Sequence, residues 1–210
     1  MKKTITAALA VFGLVAFAQA EGDVARGETL SVTCAACHGN DGNSTDPANP
    51  KLAGQNARYT VKQLMAFQSG DRVNALMSGM VASLSEQDML DLAAFYAAQE
   101  GTVGEADAEL VALGERIYRG GVVETGAAAC IACHGPNGNG NAPAGFPRVS
   151  GQHAAYTAAQ LYAFREGYRA SEPSSEARVN DGESMMMRSV AYKLRDFEIE
   201  AVAAYIQGLH

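Results

Sequence analysis

Beyond Ala20 the apolar positions recur with helical periodicity, and no stretch alternates apolar and polar residues convincingly enough for a strand. Asp23 to Val32 reads as a short opening helix, and Arg58 to Gln68 carries Tyr59, Leu64 and Phe67 on one stripe. Ser85-Glu-Gln-Asp88 has the form of a capping box ahead of Met89, Leu90, Leu92, Phe95 and Tyr96, which marks a further helix and its buried face. Glu109 to Tyr118 reads as a second opening helix, and Ile199, Val202, Ala203 and Ile206 form a second closing stripe. There Arg195 stands where a capping serine would, cannot accept a hydrogen bond, and predicts a start one residue later at Asp196. The pattern predicts an all-α fold.

The pattern also repeats on a larger scale. Cys34-Ala-Ala-Cys-His-Gly matches Cys130-Ile-Ala-Cys-His-Gly at an offset of 96, and Pro50-Lys-Leu-Ala-Gly-Gln matches Pro147-Arg-Val-Ser-Gly-Gln at 97. Tyr59, Gln63, Leu64, Phe67 and Gly70 keep that offset to Tyr156, Gln160, Leu161, Phe164 and Gly167. After a longer insertion in the second copy, around Ser171 to Ala177, the register resumes at 110 and pairs Met77, Leu84 and Phe95 with Met187, Leu194 and Tyr205. Two homologous domains follow, over 21–100 and 107–210, with a linker at 101–106 where glycine and acidic residues interrupt the apolar pattern. Each is small for a side-chain core alone, so a buried cofactor would supply much of the missing apolar area.

The repeated motif names that cofactor. On one helical turn Cys34, Cys37 and His38 share a face, as do Cys130, Cys133 and His134, and these are all the cysteines of the chain. Two thiols can add across the two vinyl groups of a haem while the adjoining imidazole reaches the iron. A zinc site built from both CxxC pairs, or a redox dithiol, leaves the histidine after each second cysteine unexplained. The prediction is two covalently bound haem c groups, one per domain, held by Cys34, Cys37, Cys130 and Cys133 with His38 and His134 on the irons. Each imidazole needs an acceptor for its far N–H, and the backbone carbonyls of Pro50 and Pro147 are the candidates. His153 reads as a solvated or cap-region residue and His210 as a frayed end.

The second axial position decides between carrying electrons and binding small molecules. Met77 and Met187 hold matching places, each seven residues before the leucine that precedes the last helix of its domain. Met80 competes in the first domain, and Met185 or Met186 in the second. A thioether at both irons seals them and predicts electron transfer instead of catalysis.

The N-terminus has the three parts of an export signal: Met1-Lys2-Lys3, an apolar run from Ala7 to Ala18, and Ala18-Gln19-Ala20 as a cleavage site. A signal peptide over 1–20 and a periplasmic mature protein are expected, with an uncleaved anchor as the competing reading. The formal net charge is −7 before Lys2 and Lys3 are lost, which excludes nucleic acid as a partner.

From about Gly22 to His210 the chain resembles the cytochrome c4 family. The match runs through Lys51-Leu-Ala-Gly-Gln, Met77-Ser-Gly-Met80, Arg119-Gly-Gly, Gly145-Phe-Pro, Gly151-Gln-His-Ala-Ala-Tyr, Phe164-Arg-Glu-Gly, Met187-Arg and the closing Tyr205-Ile-Gln-Gly-Leu-His. The resemblance implies two class I cytochrome c domains packed face to face with haem propionates near each other. It implies His/Met ligation by Met77 and Met187. It also implies electron delivery from a membrane respiratory complex toward a terminal oxidase, often of the cbb3 type, with peripheral membrane association open. The segment from Gly70 to Met77 is shorter, and that from Gly167 to Met187 longer, than the family pattern. A diheme peroxidase, or a haem-bearing subunit of a dehydrogenase, is the alternative to a carrier that makes no bonds.

Overall fold

The computed structural model describes residues 22–169 and 177–210. The expected signal peptide, and the insertion in the second copy apart from Ala177, lie outside the described residues. Two helical lobes follow one another. The first contains α1 (Val24–Ser31), α2 (Ala35–His38), α3 (Ala57–Ser69), α4 (Ala75–Val81) and α5 (Glu86–Ala97). The second contains α6 (Val111–Gly120), α7 (Ile131–His134), α8 (Ala154–Arg169), α9 (Met186–Ala191) and α10 (Asp196–Gly208). The β-structure among the described residues is confined to two isolated bridges, Val122 with Ala127 and Asn141 with Phe146. The all-α expectation holds.

Each lobe is closed by the crossing of its first and last helices, α1 on α5 and α6 on α10. Glycine makes the crossing possible. A Cβ on Gly27 would lie 2.0 Å from the Asp91 carbonyl oxygen, and one on Gly114 would lie 2.1 Å from that of Ala201. Those are backbone contacts that no rotamer change relieves. Against each crossing lie α3 or α8, which in turn carry α4 or α9. This places the predicted methionine segments on the flank of the lobe and the CxxCH turns at the foot of the opening helix.

Local signals explain where the helices start. Asp23 caps α1 by accepting from the N–H groups of Ala25 and Arg26. The predicted capping box is present at α5: the Ser85 hydroxyl accepts from the Asp88 N–H, and the Asp88 carboxylate accepts from the Ser85 N–H at 2.9 Å. α10 starts at Asp196 as expected, but this is no shift relative to the first copy, since that residue is in register with Glu86 of α5. The half of the capping box that Asp88 supplies in α5 is kept: Glu198 accepts from the Arg195 N–H at 2.8 Å and pairs with the Arg195 guanidinium, while the serine hydroxyl has no replacement that accepts. The opening helix of the second lobe starts at Val111 and not at Glu109, because the Asp107 carboxylate takes the Glu109 N–H and holds the preceding residues in a turn.

The segment joining the lobes is pinned to both. The Thr102 N–H donates to Asn43 Oδ1 at 2.8 Å, and the Gly104 N–H donates to the Gln207 carbonyl at 3.0 Å.

Candidate haem sites

Cys34 and Cys130 sit at the N-caps of α2 and α7, and the N–H of each histidine four residues on donates back to the cysteine carbonyl, at 3.0 and 2.9 Å. One closed turn thus presents two thiols and an imidazole together. The turn ends at once because Gly39 (φ 79°) and Gly135 (φ 78°) take a backbone conformation that a side chain would strain. All four thiols are unpaired and half-buried. Burial pushes the Cys130 thiol up to about 11.

Both imidazoles are buried, and each is oriented as the sequence predicted. His38 Nδ1 lies 2.9 Å from the Pro50 carbonyl oxygen and His134 Nδ1 lies 3.0 Å from that of Pro147. A carbonyl only accepts, so Nδ1 carries the proton and Nε2 presents its lone pair. Among the described residues Nε2 has no partner in either ring. Burial lowers both histidines below their usual pKa, against the opposing pull of the proline carbonyls, and keeps the rings in the neutral, ligating form.

Met77 lies in the first turn of α4, half-buried, with its N–H donating to Asn74 Oδ1 at 3.0 Å. Met187 is half-buried on α9 and packs against the core of the second lobe. Of the competing methionines, Met80 and Met186 are exposed, while Met185 is half-buried and holds a left-handed backbone at φ 49°.

The junction between the lobes supplies the test of whether haem fits. Arg72 and Arg178 are only 9 % and 6 % exposed, and among the described residues neither has a carboxylate partner. Instead each reaches across. Arg72 donates to Gln63 of its own lobe at 2.8 Å and to Tyr156 and Gln160 of the other at 2.9 and 2.8 Å. Arg178 donates to Gln160 of its own lobe at 3.0 Å and to Gln63 of the other at 3.1 Å. Each guanidinium also covers a ring of its own lobe, Phe67 at 4.5 Å and Phe164 at 4.1 Å. Burial raises the Tyr59 phenol, but Arg178 and Arg72 together outweigh it and bring the group below its usual value. Two buried cations without an anion are costly, and a site that receives ionised carboxylates from outside the chain relieves that cost. Haem propionates are such carboxylates. The donor set and the junction both fit the group.

Sequence reasoning missed both arginines. They fall in the stretch where the repeat passes from the 97 register to the 110 register, so alignment of the copies does not pair them. His153 holds the cap-region place expected of it, directly before α8 with its carbonyl accepting the Thr157 N–H at 2.9 Å, but its ring is not solvated: Nε2 lies 2.9 Å from Ser44 Oγ and 3.0 Å from the Ser44 carbonyl oxygen on the other lobe. His210 is exposed at the chain end.

Doubled in this way, the fold defines a class, the c-type haem domain in tandem. A family model described as cytochrome c matches residues 24–98 and again 111–210. The chain is 47 % identical to cytochrome c4 of Azotobacter vinelandii over 219 aligned positions that cover 100 % of both chains. The crystal structure of reduced recombinant cytochrome c4 from Pseudomonas stutzeri is similar with a TM-score of 0.84 and 48 % identity, over 90 % of this chain and 100 % of that one. A thiosulfate dehydrogenase electron acceptor of Stutzerimonas stutzeri (strain A1501) is 38 % identical over 85 % of this chain and 80 % of its own. The chain belongs to the cytochrome c4 family, as a diheme electron carrier with one haem c in each domain.

Proposed function

We propose that the protein passes single electrons in the periplasm from a membrane respiratory donor toward a terminal oxidase, of the cbb3 type among the candidates. Cys34 and Cys37 would hold one haem, with His38 and Met77 as its iron ligands; Cys130 and Cys133 would hold the other, with His134 and Met187. The domains on this reading are 21–100 and 107–210, joined by 101–106 and preceded by a cleaved signal over 1–20.

Haem c supplies a reversible one-electron couple when bound. The chain's residues do the rest by holding still. His38 and His134 are fixed by burial and by a proline carbonyl, which keeps reorganisation on electron gain or loss small. Met77 and Met187 would supply the second ligands; their half-burial, beside the exposure of Met80 and Met186, supports them, while Met185, also half-buried, is held in the left-handed turn before α9. Arg72 and Arg178 would receive the haem propionates at the junction between the lobes. The observation that carries the reading is the pair of buried imidazoles, each with Nδ1 satisfied by proline and Nε2 free.

No described helix is long and apolar enough to cross a membrane. The likeness to a thiosulfate dehydrogenase electron acceptor supports a second source of electrons, a dehydrogenase that docks on the same protein. The test is the mass and ligand binding of the purified protein. We expect a mass exceeding the polypeptide by two haems, and a reduced form that leaves carbon monoxide unbound at neutral pH. Met77→Ala and Met187→Ala should each open one centre of the two. Rapid carbon monoxide binding by the unmodified protein overturns the carrier reading in favour of a peroxidase-like enzyme.

A further inference from the structure

We propose that Gln55 and Gln152 are positioning residues that act crosswise, each setting the donor strength of the imidazole in the opposite lobe. The inference rests on His38 and His134 being the proximal ligands.

The peptide between Pro50 and Lys51 has two ends. Its carbonyl accepts from His38 Nδ1 at 2.9 Å. Its N–H, that of Lys51, donates to Oε1 of Gln152 in the other lobe at 2.9 Å. Gln152 then donates from Nε2 to the Lys51 carbonyl at 2.9 Å, so its amide grips both sides of that residue. The second lobe mirrors the arrangement. Pro147 accepts from His134 Nδ1 at 3.0 Å, the Arg148 N–H donates to Gln55 Oε1 at 2.9 Å, and Gln55 Nε2 donates to the Arg148 carbonyl at 2.9 Å. Each glutamine oxygen also accepts the N–H of the residue after it, Asn56 at 2.9 Å and His153 at 3.1 Å, which fixes the side chain before it meets the other lobe. Gln55 is only 9 % exposed and Gln152 is half-buried, so water competes little for these bonds.

A single peptide group therefore separates each imidazole from a side chain of the opposite lobe. The amide is conjugated. Electron density drawn toward its N–H acceptor appears on its own oxygen, and linked hydrogen bonds polarise one another by roughly 10–30 % per bond. The glutamine makes the proline carbonyl a stronger acceptor, the carbonyl gives the imidazole more imidazolate character, and a more basic ligand favours ferric iron. Docking and ligand tuning become one event.

The experiment is a redox titration of holoprotein variants, with each haem followed by its own paramagnetically shifted proton resonances. Gln152→Met should raise the potential of the N-terminal centre more than that of the C-terminal centre, and Gln55→Met should do the reverse. Arg58→Ala removes a lobe-to-lobe bond to the Pro143 carbonyl, 3.0 Å long and away from both peptides, and should move neither. Gln152→Glu keeps an oxygen on the Lys51 N–H and adds charge, so it should shift the N-terminal centre down, again more than its neighbour. Equal shifts at both centres, larger shifts in the mutated lobe, or no shift overturn the relay. Absence of two c-type haem spectra in the unmodified protein would instead sink the ligation reading beneath it.

Discussion

The two lobes carry the same attachment turn, the same proline-backed imidazole and the same glycine crossing, yet they are made rigid by different means. In the C-terminal lobe a continuous buried cluster runs through Ile117, Tyr118, Leu161, Phe164, Ile199, Val202 and Ile206. In the N-terminal lobe the continuous cluster is smaller, Leu92, Phe95 and Tyr96, with Phe67, Val81 and Met89 buried apart from it, and a buried carboxylate joins them at the helix crossing. Asp91, buried at the crossing of α1 and α5, accepts from the Asp23 N–H and from Gln87 Nε2, both at 2.8 Å, and pairs with Arg26 at 3.2 Å. Its counterpart at the 110 register is Ala201, which is fully buried and apolar. The methionine segments differ in the same sense. Asn74 caps α4, whereas α9 begins after the left-handed Met185 without a side-chain cap and is tied by the Asp181–Arg188 pair at 2.6 Å. Duplication preserved the site, and each copy found its own way to hold it.

The largest effect should come from attacking what the lobes share. Gly27→Ala and Gly114→Ala each force a methyl group into a backbone oxygen, and overpacking of this kind costs about 1–3 kcal/mol or more, against about 1 kcal/mol gained from the better helix former. Both variants should lose stability, because the clash distances are nearly equal at 2.0 and 2.1 Å. The N-terminal lobe, with the smaller apolar cluster, should show the larger fall in melting temperature when calorimetry resolves the two transitions. Equal falls would mean that the bound cofactor, and not the side-chain core, sets lobe stability.

Acid sharpens the comparison. The Asp91 carboxyl is held below the usual range first by the Asp23 N–H, then by Gln87 and Arg26, against the opposing effect of burial. A depressed folded-state pKa contributes stability that is complete above the unfolded value of about 4 and is lost as pH falls through the folded value. Ala201 has nothing to titrate, and the caps Asp88 and Glu198, both lowered by their neighbours, appear once in each lobe. The N-terminal lobe should therefore loosen first as the pH falls below about 4, as seen in its amide resonances. Asp91→Asn should shrink that difference, and an unchanged order of unfolding would count against Asp91 as its source.

Much of the architecture was legible because it is local or repeated. The helices come from periodicity, the α5 start from Ser85 and Asp88, and the histidine supports from two prolines that keep one offset. What stayed hidden is the contact between lobes. Gln55 and Gln152 stood in plain view inside the matched Pro50 and Pro147 segments, but a residue repeated outside a motif states only that something uses it. That its user is the other copy is a fact of docking geometry, which one-dimensional comparison does not carry. Gly27 and Gly114 were visible as glycines inside amphipathic helices, a signal of close approach. The start of α10 at Asp196 was legible too, but not that Arg195 keeps the cap position of Ser85, held there by Glu198, which takes the Arg195 N–H as Asp88 takes that of Ser85.

The smallest effect separates the two methionine segments. At the 110 register Asn74 faces Ser184. Asn74 Oδ1 accepts the Met77 N–H at 3.0 Å, satisfying one of the donors that a helix start leaves open, while the exposed Ser184 hydroxyl donates to the Asp181 carbonyl at 3.3 Å and caps nothing. Asn74→Ala should cost about 1 kcal/mol, the usual penalty for losing an N-cap. Ser184→Ala should stay within about 0.5 kcal/mol of the parent, as surface substitutions do. Because α4 presents Met77 from its first turn, the loss at Asn74 should also appear as faster carbon monoxide binding at the N-terminal centre alone, where fraying frees the sulfur more often. Equal rates in the two variants would show that Met77 is held by its iron and its packing, with the cap contributing only to the helix.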